Sequence, residues 1–425
     1  MIKPSLFASL TMVFALTGAS CQSQTTSHDQ TTQTQSQAGS NEQNPQKCNP
    51  LETRKPNSPN QKPAFAEQTR ACAIKTNAAF EVQVLTKGLE KPWAVEPLPD
   101  GNLLVTEKPG RMRIISASGA MGQPLTGLPQ VDYKDQGGLL DVALSPDFST
   151  SRTIFWSYSE PRKGGNATSV ARGVLSADQT RLEQVKVIFR AMPTYDGHMH
   201  FGSRLAFGPD GMLYVTLGER SDKEIRPQAQ HMNSHMGKIL RITPDGKPAP
   251  ENPFLNQSGS MPEIWTLGHR NVQSSAFDEK GQFWVVEMGP QGGDELNLIQ
   301  KGKNYGWPLV TFGEEYSGAP VPNSVTDKAG FERPVYYWDP VIAPSGAQFY
   351  SGKAFPEWQG NLFVGALRDQ RLVRLKIENN KVTGEEHLLT DRNRRIRDVR
   401  EGPDGALYLV TDESKGELLK ITPKK

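Results

Sequence analysis

The clearest regularity in the chain is a glycine-containing turn followed by a short run of alternating apolar and polar residues. Glycine, often preceded by Asp, supplies the positive φ angle of a tight turn, and the alternation suits a strand with one buried face. Five clear copies occupy residues 99–106, 209–216, 280–286, 359–365 and 403–410, and a degenerate copy occupies residues 145–158. The pattern therefore predicts a chain built from repeated β units.

Six such units predict an all-β fold, a six-bladed β-propeller, over residues 78–425. An array of β-sandwiches is the alternative, but the period recurs to the C-terminus, which favours the propeller. The span is generous for six four-stranded blades, so long loops are expected over residues 216–238 and 305–345. Long loops on a propeller commonly build the ligand-binding face.

The N-terminal residues are typical of an export signal and a tether. Lys3 precedes an apolar run over residues 6–16, which is too short to span a bilayer and indicates a secretory signal peptide over residues 1–21. Small residues before Cys21 are typical of a bacterial lipoprotein signal, although Gly18 stands where such signals usually carry Leu. Ordinary signal cleavage is the alternative. We expect an exported protein, periplasmic or anchored to the membrane through a lipid on Cys21, with residues 22–77 as a polar flexible tether.

Two further cysteines remain in the exported chain. An even pair predicts a disulfide between Cys48 and Cys72 that clips the tether to the domain edge, with two free thiols as the alternative. The formal net charge of +2 indicates no particular charged partner, and no basic stripe with interleaved aromatics predicts nucleic-acid binding. The oligomeric state stays open, with a homodimer as one option.

Polar clusters between the repeats carry the candidate chemistry. His200 heads a strand beside Gly202, where a ligand could approach closely and the imidazole could act as a base; a structural histidine is the alternative. The glycine-rich turn over residues 289–295 can point several carbonyls at one calcium ion. Arg395 and Arg397 would face the same way on a strand and hold carboxylates, with a solvated charge run as the alternative. A propeller would bring all three clusters to one axis.

These clusters belong to a series of short sequence motifs that match the motifs of one known family in the same order. The chain resembles the soluble pyrroloquinoline-quinone (PQQ) glucose dehydrogenases, and most closely their aldose sugar dehydrogenase branch, from about residue 91 to residue 420. Eight ordered matches are far more specific than any single one. The matching runs are Lys91–Ala94, Gln136–Ala143, His200–Leu205, Gly268–Asn271, Gly289–Glu295, Asn304–Pro308, Ala343–Gly346 and Arg395–Val399.

The resemblance implies a six-bladed propeller with PQQ on its axis and assigns roles to individual residues. His200 is implied as the base for the anomeric hydroxyl of the sugar, and Arg270 as the group that stabilises charge at the reactive carbonyls of the cofactor. The implied cofactor contacts are Gln136, Arg270, Asn271, Arg368, Arg395 and Arg397. The implied metal ligands are Gly289 and Pro290 at the catalytic calcium, and Glu295 and Tyr305 at a further calcium.

Three positions depart from the glucose-specific relatives. Met199 stands where they have an acid, Arg368 replaces a lysine, and Val341 replaces a threonine. These departures argue against narrow glucose specificity and leave PQQ binding intact.

The implied activity is PQQ- and calcium-dependent oxidation of aldose sugars at C1 to aldonolactones, by hydride transfer to the quinone. The electrons then pass to an acceptor that the sequence does not name. One alternative is a calcium-dependent hydrolase of the lactonase type on the same fold, which would need no clamp for anions; Arg270, Arg395 and Arg397 argue against it. The other alternative is a propeller that only binds a glycan, in which His200 would be idle.

Overall fold

The computed structural model describes residues 48–424, and these residues form six antiparallel sheets of four strands each. The predicted six-bladed propeller is therefore confirmed. The predicted signal peptide over residues 1–21, the lipidation site Cys21 and residues 22–47 of the predicted tether lie outside the described residues. Within residues 48–424, no helix is long and apolar enough to cross a membrane.

Strand β1 (Phe80–Leu89) comes first in the chain but belongs to the last blade. The strands of blades 1 to 3 are β2 (Pro92–Pro97), β3 (Leu103–Glu107), β4 (Arg111–Ile115), β5 (Met121–Pro124), β6 (Leu139–Leu144), β7 (Thr153–Arg162), β8 (Gly165–Leu175), β9 (Leu182–Arg190), β10 (Gly202–Phe207), β11 (Leu213–Leu217), β12 (Lys238–Ile242) and β13 (Ile264–Leu267). The strands of blades 4 to 6 are β14 (Val272–Phe277), β15 (Phe283–Glu287), β16 (Asp294–Ile299), β17 (Tyr336–Trp338), β18 (Pro344–Phe349), β19 (Leu362–Ala366), β20 (Arg371–Glu378), β21 (Lys381–Leu388), β22 (Ile396–Glu401), β23 (Leu407–Thr411) and β24 (Gly416–Pro423). The helical elements are α1 (Phe148–Ser151) and the 3-10 helices Ala66–Gln68, Arg226–Gln230 and Pro356–Trp358.

The ring closes because β1 pairs antiparallel with β24, at the outer edge of the sheet that holds β22 and β23. The innermost strands of the six blades contact one another in turn around the axis. Each innermost strand is mostly buried over its first four residues, and the second strands β3, β11, β15, β19 and β23 are buried throughout. The apolar runs of the repeat are therefore these second strands.

The turns of the repeat join the first and second strands of the blades. Glycine is needed there because φ is positive, 86° at Gly101 and 79° at Gly405. In the degenerate copy of blade 2 the turn is replaced by the single-turn helix α1, which ends at Arg152 in the left-handed conformation with φ 53°.

A buried ionic network fills the axis. The guanidinium of Arg204 lies 2.9 Å from Asp141 Oδ1 and 3.0 Å from Asp398 Oδ1, and it stacks on Trp93 at 4.0 Å. Arg204 is 1% exposed and both carboxylates are fully buried. A buried charge is tolerated only when it is paired and hydrogen-bonded, which this network provides.

Residues 48–77, here called the N-terminal strap, correct one expectation. Cys48 and Cys72 form the predicted disulfide. The strap, however, packs on blades 4 and 5: the Ala71 N–H donates to the Tyr336 hydroxyl at 3.0 Å, and the Ile74 N–H donates to the Glu385 carbonyl at 3.0 Å. Residues 48–77 are therefore held against the propeller by specific hydrogen bonds, where a flexible tether was predicted.

Candidate active site

The candidate site lies where the inner strands begin and the second strands end, because neighbouring antiparallel strands bring these positions to the same end of each blade. A cavity of about 340 Å³ opens there and is lined by polar and charged side chains together with apolar ones, among them Trp93 and Phe201. Its charged lining residues are Lys91, Lys108, Asp135, Arg395, Arg397 and Asp412. Four cations against two carboxylates make this cavity suited to an anionic ligand.

Arg395 and Arg397 share one carboxylate. Asp412 Oδ2 accepts from Arg395 Nη2 at 2.8 Å, and Asp412 Oδ1 lies 2.9 Å from Arg397 Nη2. Burial would raise the pKa of the Asp412 carboxyl, but the two arginines hold it below its ordinary value. The carboxylate therefore stays charged and orients both guanidinium groups, and the predicted pair faces the cavity as one unit.

Lys108 is a further cation that the motifs did not single out. Its ammonium donates to the Asp135 carbonyl at 2.5 Å, and it is buried. Burial and the nearby Arg397 lower the pKa of Lys108 to about 8. A ligand carboxylate in the cavity would oppose both effects by stabilising the charged ammonium.

His200 lies at the edge of the cavity, beside the lining residues Phe201 and Gly202. Its Nδ1 is 3.1 Å from Glu219 Oε1, and its backbone N–H donates to Gln136 Oε1 at 2.9 Å. Burial and then the Arg270 charge lower the pKa of His200 below 6.5, against the opposing effect of Glu219. The imidazole is thus held neutral and oriented by a carboxylate, as a general base requires.

The backbone at His200, just before the strand β10, is left-handed with φ 45°. His198, two residues earlier, lies 3.1 Å from Asp132.

Arg270 hydrogen-bonds to the backbone at the start of the glycine-rich turn and does not line the large cavity. Its Nη1 donates to the carbonyls of Met288 at 3.0 Å and Gly289 at 2.6 Å, while its buried Nε has no partner among the described residues. Met288 lines both the large cavity and a smaller one beside it. Asn271 is fully buried and accepts from the Gly202 N–H at 3.1 Å, so it positions the His200 segment.

The smaller cavity, about 10 Å³, brings the four predicted metal ligands together. It is lined by Gly289, Pro290, Glu295 and Tyr305, with Arg270 and Glu287. Burial and the neighbouring Glu287 carboxylate raise the pKa of Glu295 well above its ordinary value. The Tyr305 hydroxyl already donates to the Leu298 carbonyl at 2.7 Å.

Of the six predicted cofactor contacts, Gln136, Arg395 and Arg397 line the large cavity, and Arg270, Asn271 and Arg368 do not. Arg368 is exposed, and its neighbour Leu367 lines the cavity in its stead. Sequence reasoning also missed Glu219, Lys108 and Asp412. Each immediately follows, or lies two residues after, the second strand of its blade, and that shared position is the signal that could have identified them.

Comparison with known proteins agrees with this geometry. The family model described as Glucose / Sorbosone dehydrogenase matches residues 89–420, and the chain belongs to this family. The chain is 46% identical over 351 residues to aldose sugar dehydrogenase YliI of Escherichia coli (strain K12), covering 82% of this chain and 94% of that protein.

Two more distant relatives carry a quinone in their descriptions. Quinoprotein glucose dehydrogenase B of Acinetobacter calcoaceticus is 28% identical over 440 residues, covering 81% of this chain and 91% of that protein. A solved structure of the PQQ-bound form of aldose sugar dehydrogenase from Streptomyces coelicolor is 31% identical, with a TM-score of 0.67, covering 82% of this chain and all of that one.

Proposed function

We propose that this protein is a PQQ- and calcium-dependent aldose sugar dehydrogenase that oxidises sugars at C1 to aldonolactones. The observation that carries the proposal is the cationic cavity with a neutral, carboxylate-oriented histidine at its edge. The family and the descriptions of its relatives support the same activity.

The cavity suits PQQ, which has three carboxylates and an orthoquinone. Arg395, Arg397, Lys108 and Lys91 offer more positive charge than Asp412 and Asp135 cancel. Guanidinium groups bind carboxylates bidentately, and their orientation by Asp412 is already fixed. Trp93 and Phe201 supply apolar walls for a planar ring system.

His200 is the proposed base for the sugar. Its Nδ1 is engaged by Glu219, so Nε2 is the nitrogen that would take the proton of the C1 hydroxyl. As that proton leaves, the C1 hydrogen departs as hydride and the C1–O bond becomes the lactone carbonyl. PQQ, when bound, supplies the two-electron acceptor for that hydride, and the electrons then pass to a separate acceptor.

The small cavity fits calcium in its donor types. Backbone carbonyls and carboxylates are the oxygen ligands that calcium takes, and Gly289, Pro290 and Glu295 provide them. The Gly289 carbonyl is bonded to Arg270, so an ion bound there would share that oxygen with the guanidinium. Arg270 would thereby link the metal to the cofactor pocket.

Activity should require both PQQ and calcium. Chelator-treated apo-protein should lose sugar-dependent dye reduction and regain it only when both additives are supplied, because the cationic cavity and the carbonyl turn hold different groups. A panel of aldoses should include substrates besides glucose, since Met199 replaces an acid beside His200. Full activity without PQQ would overturn the proposal.

A visible spectrum of the protein reconstituted with PQQ and sugar, together with an assay for hydrolysis, separates the two alternative functions. A lactonase would hydrolyse its ester without any bleaching of added PQQ. A propeller that only binds glycans would show neither dye reduction nor hydrolysis, although it could still retain the sugar.

We also propose that the protein is exported and carries a lipid on Cys21. The support is the apolar run ending in small residues before Cys21, together with the Cys48–Cys72 disulfide, which is typical of exported chains. Mass spectrometry of the mature protein should find an N-terminal lipidated Cys21. A mature chain that starts elsewhere and is unmodified would contradict the lipid anchor.

A further inference from the structure

The tip of the N-terminal strap contacts the glycine-rich turn of the candidate site. Ser58 is fully buried, and its hydroxyl donates to the Gln291 carbonyl. Gln291 Nε2 donates back to the Asn57 carbonyl at 3.4 Å. A side chain at Gly292 would collide with the Ser58 hydroxyl, so the two segments fit closely.

The same tip also holds the segment that precedes β18. The backbone N–H groups of Asn57 and Ser58 donate to the Asp339 carboxylate, at 2.5 and 3.2 Å. The Asn57 side-chain oxygen accepts from the Val341 N–H at 2.9 Å. Asn57 and Ser58 thus hydrogen-bond to two separate loops, residues 288–293 and residues 339–343.

Both loops extend to the candidate site, and Asp294 ties them together. Asp294 Oδ1 accepts from the Gly289 N–H at 2.9 Å, and Oδ2 accepts from the N–H groups of Ile342 and Ala343 at 2.8 Å each. The Gly289 carbonyl in turn holds Arg270. Met288 and Ala343, one from each loop, line the large cavity.

The strap is an addition to the propeller. The family model begins at residue 89, and the ring is closed by β1, which starts at Phe80. Ring closure therefore does not account for the buried contacts of Asn57 and Ser58.

We propose that Asn57 and Ser58 are positioning residues that hold the 288–293 turn and the 339–343 segment in the arrangement that binds the cofactor. They act through Gln291 and Val341, and the Cys48–Cys72 disulfide closes the strap segment that carries them. This inference rests on the proposed function for the identity of the ligand, PQQ, but not for the placement of the turn.

The test uses the exported full chain in its apo form, with two measurements. PQQ affinity is followed by quenching of tryptophan fluorescence, and hydrogen exchange is measured on peptides covering residues 288–294. Asn57→Ala and Ser58→Ala should each weaken PQQ binding about 3- to 30-fold, as expected for losing a buried hydrogen bond, and should speed exchange in the turn.

Gln68→Ala is the matched control. Gln68 is in the same strap and, like Ser58, is fully buried, but its side chain donates to the Pro334 carbonyl at 2.9 Å and not to the turn or the 339–343 segment. It should leave PQQ affinity and exchange in the turn unchanged, even where it lowers the melting temperature.

Wild-type PQQ affinity in both tip variants, or an equal loss in Gln68→Ala, would overturn the positioning role. A wild-type chain that binds no PQQ would overturn the proposed function instead. In that case exchange in the turn alone decides the inference: faster exchange in the tip variants supports it, and unchanged exchange refutes it.

Discussion

Replacing His200 with glutamine should slow reduction of the bound cofactor by sugar about 10²–10⁴-fold, the usual worth of a positioned general base. The side chain is buried, oriented by Glu219 and held neutral, so it is ready to accept a proton. Proton removal and hydride loss occur together, so stopped-flow bleaching of the oxidised cofactor should slow as much as turnover does. PQQ affinity should change little.

His198→Gln is the control for that variant, because His198 is only two residues away and pairs with Asp132 instead. It should leave the bleaching rate near that of the wild type.

The pKa of His200 is lowered, so the neutral form of the imidazole persists below pH 6.5. The wild-type bleaching rate should therefore hold on the acid side of that value before it falls. A wild-type rate in His200→Gln would make His200 a structural residue.

Arg395→Ala or Arg397→Ala should weaken PQQ binding about tenfold to a hundredfold, because each removes a guanidinium of the pair and a charge-assisted hydrogen bond contributes roughly 1.5–3 kcal/mol. Arg397→Ala should have the larger effect. The Arg397 side chain is 11% exposed against 40% for Arg395, so its interactions are less screened by water. Equilibrium titration of each apo-variant with PQQ measures the loss.

Arg394→Ala is the matched control for the Arg395 and Arg397 variants. Arg394 precedes the pair, is exposed and pairs with Glu417 rather than with Asp412. Its loss should leave PQQ affinity unchanged. An equal loss in Arg394→Ala would mean that the cavity responds to total charge and not to the oriented pair.

The period of the sequence was sufficient to predict the six blades, because each repeat encodes the same turn and the same buried second strand. Where the repeat degenerates, at residues 145–158, a one-turn helix replaces the turn and the strand β7 still forms. The strap was missed because its polar residues make specific hydrogen bonds that composition does not reveal.

The candidate site was predicted best where the chemistry lies in one motif. Arg395 immediately precedes β22 and Arg397 lies within it, and the structure places both on the cavity. Their partner Asp412 immediately follows β23, and the partner of His200, Glu219, lies two residues after β11. Only the register of the paired strands joins such residues, and a single sequence does not display that register.

The buried ionic network on the axis affects how ligands reach the cavity. Arg204, Asp141 and Asp398 occupy the channel between the cavity and the opposite face, where Glu96 and Arg400 line a separate depression. Within residues 48–424, this buried network separates the cavity from that depression. For the proposed function, we expect the sugar and the electron acceptor to approach from the cavity side, where each would exclude the other while it is bound.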